Sequence, residues 1–198
     1  MRVISGIARG RRLKSPPGSF TRPLTDRIKE ALFNVIGWEL PGSRVLDLFA
    51  GSGSFGIEAL SRGASQVVFV ESHALAVRTI HDNLSTCQFE SGFEVWRNDV
   101  FRALPLLARR GLSFDFIFAD PPFTMPGTEA RVVEVIDQLP LLAARGCLIV
   151  RIPRRKTLVD EWHNLEQFRS DDYGESTVVY CRYREAGGDI DGVLRDTR

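Results

Sequence analysis

The run Val45-Leu-Asp-Leu-Phe-Ala-Gly-Ser-Gly-Ser-Phe-Gly56 constrains this chain more than any other stretch: an apolar strand pattern enters a glycine turn, and the turn leads directly into a helical pattern. A strand that hands over to a helix in this way opens a βαβ unit, whose next strand lies parallel to the first. The rest of the chain repeats that alternation. Strands are expected at Val45–Phe49, Val67–Glu71, Phe93–Trp96, Phe114–Ala119 and Cys147–Ile152. Helices are expected at Ser54–Arg62, Ala74–Leu84, Val100–Arg110 and Thr128–Leu142. Two further strands, Leu165–Arg169 and Thr177–Arg184, flank the turn-like Asp171-Asp-Tyr-Gly174 and are expected to run antiparallel, giving about seven strands in all. Ahead of this body, Arg2–Ile4 suggests a small strand, Ser15-Pro-Pro-Gly-Ser19 an exposed loop, and Thr25–Ile36 a helix capped by Thr25.

The class is therefore α/β, a mostly parallel sheet with helices on both faces. At 198 residues with 43% hydrophobic and 26% charged side chains, the chain can bury one substantial core. Residues 1–36 are expected to form a basic arm and helix, 37–184 the main domain, and 185–198 a poorly ordered tail with Gly187-Gly188 and scattered charge. No apolar run reaches the roughly 20 residues of a membrane helix, and the first thirty residues contain no signal-like apolar stretch, so the expected location is the cytoplasm. Cys87, Cys147 and Cys181 are widely spaced and form no C-x-x-C pair, and the three histidines make no ligand cluster, so neither disulfides nor a metal site is indicated.

The net charge of +1 hides an asymmetry. Residues 1–30 carry eight Lys and Arg against Asp26 and Glu30, a local charge of +6, and the remaining 18 basic and 23 acidic residues leave −5 on the body. Arg9, Arg11, Arg12, Lys14 and Arg22 make a short basic arm suited to phosphates of a nucleic acid, although a solubilising terminus has the same composition.

A parallel sheet binds its ligand outside the carboxyl ends of its strands. Four acids fall there: Asp47, Glu71, Asp99 and Asp120. Gly51, Gly53 and Gly56 have the G-x-G-x-x-G spacing, which several nucleotide ligands use. A P-loop is excluded because Ile57 and Glu58 stand where Lys and Ser/Thr are required. A nicotinamide or flavin dinucleotide fits the glycines, and Glu71, 20 residues after Gly51, fits the acid that holds ribose hydroxyls. S-adenosylmethionine needs the same ribose acid but brings a sulfonium and an ammonium instead of a pyrophosphate, and an acid-rich edge with no following cation suits that charge better.

Asp120-Pro-Pro-Phe123 directly follows the fourth strand. Pro121 and Pro122 cannot continue a ladder, so the strand must end in a stiff extended corner. There the Asp120 carboxylate and the Pro121 carbonyl form a pair of acceptors for an exocyclic amine, with Phe123 as a stacking surface for its base. Fixing that amine with its lone pair aimed at a sulfonium methyl group is catalysis mainly by positioning, and it calls for no metal.

Asp47-Leu-Phe-Ala-Gly-Ser-Gly53, Glu71-Ser72, Asn98-Asp99 and Asp120-Pro-Pro-Phe123 resemble, in order, the motifs of class I amino methyltransferases. Arg2–Leu13, Arg22–Asn34, Gly56–Ala64 and Tyr173–Thr177 narrow the resemblance to the RsmD family, which methylates N2 of one guanine in 16S ribosomal RNA. The resemblance implies a Rossmann-like class I methyltransferase fold with strand order 3-2-1-4-5-7-6. It further implies Asp47, Gly51 and Gly53 near the methionine part of S-adenosylmethionine, Glu71 and Ser72 at the ribose, and Asp99 and Val100 at the adenine. Asp120, Pro121, Pro122 and Phe123 would hold a flipped guanine, and the arm would bind phosphates of 16S rRNA in the small ribosomal subunit or its assembly intermediate. A monomer is expected. Phe123 stands where this family often has Tyr, Leu24 where it often has Thr, and Ser54-Phe55 where it has smaller residues. Two other functions use parts of the same pattern: adenine-N6 methylation of DNA or RNA, and noncatalytic RNA binding during subunit assembly.

Overall fold

The computed structural model describes residues 1–17, 24–154, 156–158 and 162–184. The expected 185–198 tail and Arg22 lie outside the described residues. In chain order the elements are α1 (Asp26–Ile36), β1 (Arg44–Leu48), α2 (Ser54–Ser61), β2 (Gln66–Glu71), α3 (Ala74–Thr86), β3 (Phe93–Arg97), α4 (Val100–Arg109), β4 (Phe114–Ala119), α5 (Thr128–Gln138), β5 (Leu142–Pro153), β6 (Leu165–Tyr173) and β7 (Ser176–Tyr183).

These strands form one seven-stranded sheet in the order β3-β2-β1-β4-β5-β7-β6, parallel except where β7 runs against β5 and β6. The topology is the Rossmann-like arrangement of class I methyltransferases. The period of two along each strand sorts the core into two layers. Val45, Val67, Phe69, Phe116 and Phe118 face α1, α2 and α3, while Leu46, Leu48, Val68, Val70 and Ile117 face α4 and α5. Both faces are covered, which is why the central strands read as continuous apolar runs and not as alternating ones.

Four expectations need correction. The helix expected to reach Leu142 stops at Gln138; Pro140 follows, and Leu142 opens β5, pairing with Phe114. A proline cannot continue the helical ladder, and the apolar residues beyond it belong to the sheet. The expected turn at Asp171–Gly174 lies further on: β6 continues through Tyr173, which pairs with Ser176, so the hairpin turns at Gly174 and Glu175. The exposed run from Gln167 to Ser170 hides this edge strand in sequence. The fifth strand begins five residues before Cys147, across an irregular register at Phe114/Phe116. Lastly, Arg2–Ile4 contributes a single bridge between Arg2 and Arg12, not a full strand.

Residues 1–14 lie against the body. Val3, Ala8 and Leu13 are buried in the same cluster as Leu32, Phe33 and Ile57. Glu58, wholly buried, accepts from the Ile4 and Ser5 amides at 2.8 and 2.9 Å and pairs with buried Lys29 at 3.1 Å. Ser61 Oγ accepts from the Ala8 amide and donates to the Ser5 carbonyl. Asn83 Oδ1 accepts from the Lys14 amide, and its Nδ2 donates to the carbonyls of Lys14 and Ser52. Each buried polar group is thus satisfied by backbone of the terminal segment, which fixes that segment on α2 and α3.

Candidate active site

A cleft of about 1270 Å³ opens along the carboxyl edge of the sheet. Its lining brings together Asp47, Gly51, Glu71, Ser72, Asp99, Val100 and the whole Asp120–Phe123 corner. Gly53, also assigned to the donor, caps α2 immediately beside this lining.

Three departures from ordinary backbone shape the glycine turn. Phe49, Gly51 and Gly53 have φ of 56°, 55° and 73°, the left-handed region that costs a residue with a Cβ about 1 kcal/mol or more. Phe49 meets that cost while lining the cleft with its ring edge-on to Phe101 at 6.4 Å. Gly56 has a different task. A Cβ there would fall 2.3 Å from the Phe69 ring, so this third glycine lets α2 lie close on β2 and makes no statement about phosphate.

The acids of this half are held by backbone. Asp47 Oδ2 accepts from the Gly56 amide at 3.0 Å, tying the end of β1 to the first turn of α2. Glu71 spans the crevice between β1 and β2: Oε2 accepts from the Gly51 amide and Oε1 from the His73 amide, both at 2.8 Å. Asp99 caps α4 by accepting from the Arg102 amide at 3.1 Å, and buried Val100 follows it. Burial holds the Asp47 carboxyl well above the usual carboxylate range; the Gly56 amide opposes that, and the charges of Asp120 and Glu71 add to it. Acids that repel one another across a cleft leave it a place where a cation is favoured.

The other half lies beyond β4. Asp120 lines the cleft with its carboxyl pushed up to about 6 by burial, against the pull of the Arg151 guanidinium. Arg151 Nε lies 3.0 Å from Asp120 Oδ1, and the same guanidinium sits 5.2 Å from the centre of the Phe123 ring. Pro121 is buried, Pro122 half-buried and Phe123 39% exposed, so the ring is open to a stacking partner. Behind the corner, Phe118 stacks on Phe55 at 4.0 Å and Phe55 on Phe33 at 4.9 Å. Phe55, one of the larger residues at the head of α2, therefore fills the wall between the glycine turn and β4.

Arg9, Arg11, Arg12 and Lys14 are all exposed but do not line the cleft, whose rim includes Met1, Ser15, Pro16, Pro17 and Leu24. Lys14 pairs with Asp82 and Arg11 donates to Gln88, both on the surface of the α3 region. Leu24 is buried against the core. Arg151 and the strained Phe49 were not expected from sequence. An arginine inside the apolar run Cys147–Ile152 was the signal for the first; nothing local marks the second. Among the described residues no group of three His, Cys, Asp or Glu side chains could hold a metal ion, and no helix is long and apolar enough to cross a membrane.

Comparison with known proteins adds four matches. A model of the family described as conserved hypothetical protein 95 matches residues 1–182. The Bacillus subtilis protein YlbH, provisionally named an rRNA methyltransferase, is 41% identical over 184 residues, covering 93% of this chain and all of the relative. Ribosomal RNA small subunit methyltransferase D of Escherichia coli is 32% identical over 192 residues, covering 96% of this chain and 93% of the relative. The solved structure of yhhF from Escherichia coli, provisionally named a methyltransferase, superposes with a TM-score of 0.77 at 30% identity, over 92% of this chain and 97% of its own.

Proposed function

The chain belongs to the family described as conserved hypothetical protein 95, and from that membership we propose that it transfers a methyl group from S-adenosylmethionine to the exocyclic N2 amine of a guanine in 16S rRNA of the small ribosomal subunit. The observation that carries this reading is the Asp120-Pro-Pro-Phe123 corner opening onto the same cleft as Glu71, Asp99 and the glycine turn.

Glu71, with each oxygen already fixed by an amide, is set to accept from the two ribose hydroxyls of the donor. Asp99 and Val100 serve its adenine end, and Asp47 with the turn at Gly51 and Gly53 its charged methionine end. The flipped guanine stacks on Phe123 while its amine donates to Asp120 and the Pro121 carbonyl. Those acceptors hold the nitrogen in line with the methyl carbon. The amine lone pair forms the new N–C bond, the C–S bond breaks with its electrons passing to sulfur, and one N–H proton leaves the aminium. The products are N2-methylguanine and S-adenosylhomocysteine. Residues 1–36 present the phosphate-binding charge, chiefly Arg9, Arg11, Arg12 and Lys14.

The test supplies labelled donor and small subunits lacking the modification, and identifies the methylated nucleoside by mass spectrometry. N2-methylguanosine is expected; N6-methyladenosine would transfer the site to adenine, and absence of any product would leave only RNA binding. Asp120→Ala should bind the donor within about threefold of wild type yet turn over about 10²–10³-fold more slowly, the usual effect of deleting a positioned polar group at a reacting centre.

A further inference from the structure

We propose that Arg151 is the positioning residue of this site, a single guanidinium that braces both ends of the diproline corner by fixing the Asp120 carboxylate and backing one face of the Phe123 ring. The inference rests on the methyl transfer proposed above and assigns a role to a residue that lies outside both catalytic and donor-binding motifs.

Sheet register puts Arg151 there. On β5, Val150 pairs with Ala119, the last residue of β4, so Arg151 stands level with Asp120. On its other side Arg151 pairs with Val178 of β7. Its neighbours Val150 and Ile152 are buried, and Arg151 itself is 4% exposed. Such a placement is not a stability device. A buried carboxylate–guanidinium pair recovers little more than its desolvation cost, and an apolar side chain of similar size would stabilise the strand as well or better. The pair does determine direction. Arg151 Nε lies 3.0 Å from Oδ1, an ion-pair contact without hydrogen-bond alignment, and Oδ2 is the oxygen assigned to the amine. With the guanidinium on one face of Phe123 at 5.2 Å, the base is assigned to the other face. Arginine suits this double role because its charge is planar: it can meet a carboxylate at its edge and a ring at its face, as a lysine ammonium cannot.

The same cation governs the charge state of the acceptor. Asp120 faces Asp47 from β1 and Arg151 from β5, while Glu71 from β2, Arg131 from α5 and Glu175 from the β6–β7 turn line the same cleft. Burial raises its carboxyl to about 6 and Arg151 opposes the rise. Only the ionised carboxylate is an acceptor at both oxygens, Oδ1 toward Arg151 and Oδ2 toward the amine; once protonated it becomes a donor. Turnover should therefore fall as pH drops through about 6, and loss of Arg151 should move that fall to higher pH.

The experiment compares wild type, Arg151→Met, Arg151→Lys and Asp120→Asn as full chains, with S-adenosylmethionine and unmodified small ribosomal subunits. Donor affinity, kcat, KM for the subunit and the pH dependence of kcat are measured for each. Arg151→Met should keep donor affinity within about twofold, lose about 30-fold or more in kcat, and show an acid limb displaced upward by about one pH unit or more. Arg151→Lys should restore the acid limb but not kcat, because it returns the charge without the planar brace. An Arg151→Met enzyme with wild-type kcat and acid limb overturns the inference. Should that variant fail to fold, Arg151→Lys decides: reduced kcat with an unmoved limb supports the inference, and wild-type kcat overturns it. Absence of methyl transfer by the wild type would instead sink the methyl-transfer reading beneath it, whereas an active wild type beside an Arg151→Met enzyme with the same kcat and acid limb sinks only the role of Arg151.

Discussion

The two halves of the cleft hold their acids in different ways. Between β1 and β2, Asp47 and Glu71 are gripped by backbone amides of nearby turns, at Gly56, Gly51 and His73. Beyond β4, Asp120 is held by a side chain from a different strand, Arg151. A backbone grip is as rigid as the turn that makes it and brings no cation into the donor half. A guanidinium grip neutralises part of the acid it holds and keeps its carboxyl lower than burial alone would. On the proposed reading, the half for the cationic donor and the half for the neutral amine each have the suitable device.

Deleting the backbone-held acid should give the largest effect in this comparison. Glu71→Ala removes the acceptor for the ribose and also strands the Gly51 and His73 amides it now satisfies. Hydrogen bonds to charged groups are worth about 1.5–3 kcal/mol each, so donor affinity should fall about 100-fold, measured by equilibrium dialysis or calorimetry. At saturating donor, kcat should remain within a few-fold of wild type. A collapse of kcat with intact donor affinity would erase the division between the halves.

A smaller and two-sided effect is expected at Asp47. Its folded pKa lies above the unfolded value, so its contribution to stability is present at low pH and is lost as pH rises through the folded value. Burying this carboxyl is therefore a cost to the fold above the unfolded value. Asp47→Asn keeps an oxygen for the Gly56 amide and removes the charge, so the apoprotein should melt about 2–4 °C higher for each kcal/mol recovered, and its stability should depend less on pH. The same change should weaken donor binding about tenfold by removing a carboxyl whose ionised form a cationic donor would favour. A lower melting temperature with unchanged donor affinity would mean that the carboxylate serves the fold and not the guest.

Legibility followed the same division. Asp47, Gly51 and Glu71 could be read from sequence because their geometry is local: a strand, a turn and the next strand end fix them within one βαβ unit. The corner at Asp120 was equally local, since two prolines dictate where β4 stops. Arg151 was not legible, because its meeting with Asp120 depends on the β4–β5 register, which includes a shift between Phe114 and Phe116 that no sequence period encodes. The early β5 start and the long polar β6 escaped for a related reason: pairing, not apolar content, extends them. The terminal segment shows a third kind of gap. Its charge was visible, but its attachment depends on Glu58, Ser61 and Asn83, polar residues of α2 and α3 whose partners lie far away in sequence.

That attachment makes the smallest predicted effect the most discriminating. Arg9, Arg11 and Arg12 are exposed on a segment whose backbone is already fixed by Glu58, Ser61 and Asn83, so reversing all three to Glu should leave the melting temperature nearly unchanged. If they neutralise phosphates, the slope of log affinity for the subunit against log salt should flatten by about 0.7–0.9 for each phosphate no longer neutralised, and the affinity deficit should shrink as salt rises. The segment also reaches the donor half: Ser52 Oγ lies 3.8 Å from Met1 Sδ, and Asn83 links Lys14 to the Ser52 carbonyl. Donor affinity measured without RNA tests that connection. Unchanged donor affinity with a flattened slope assigns the basic residues to the RNA side alone, whereas donor affinity that falls together with the slope means that charge on the terminal segment reaches the glycine turn, and the two halves of the cleft are coupled through it. A slope identical to wild type would remove the arm from RNA binding altogether and leave it as a wall of the cleft with a solubilising surface.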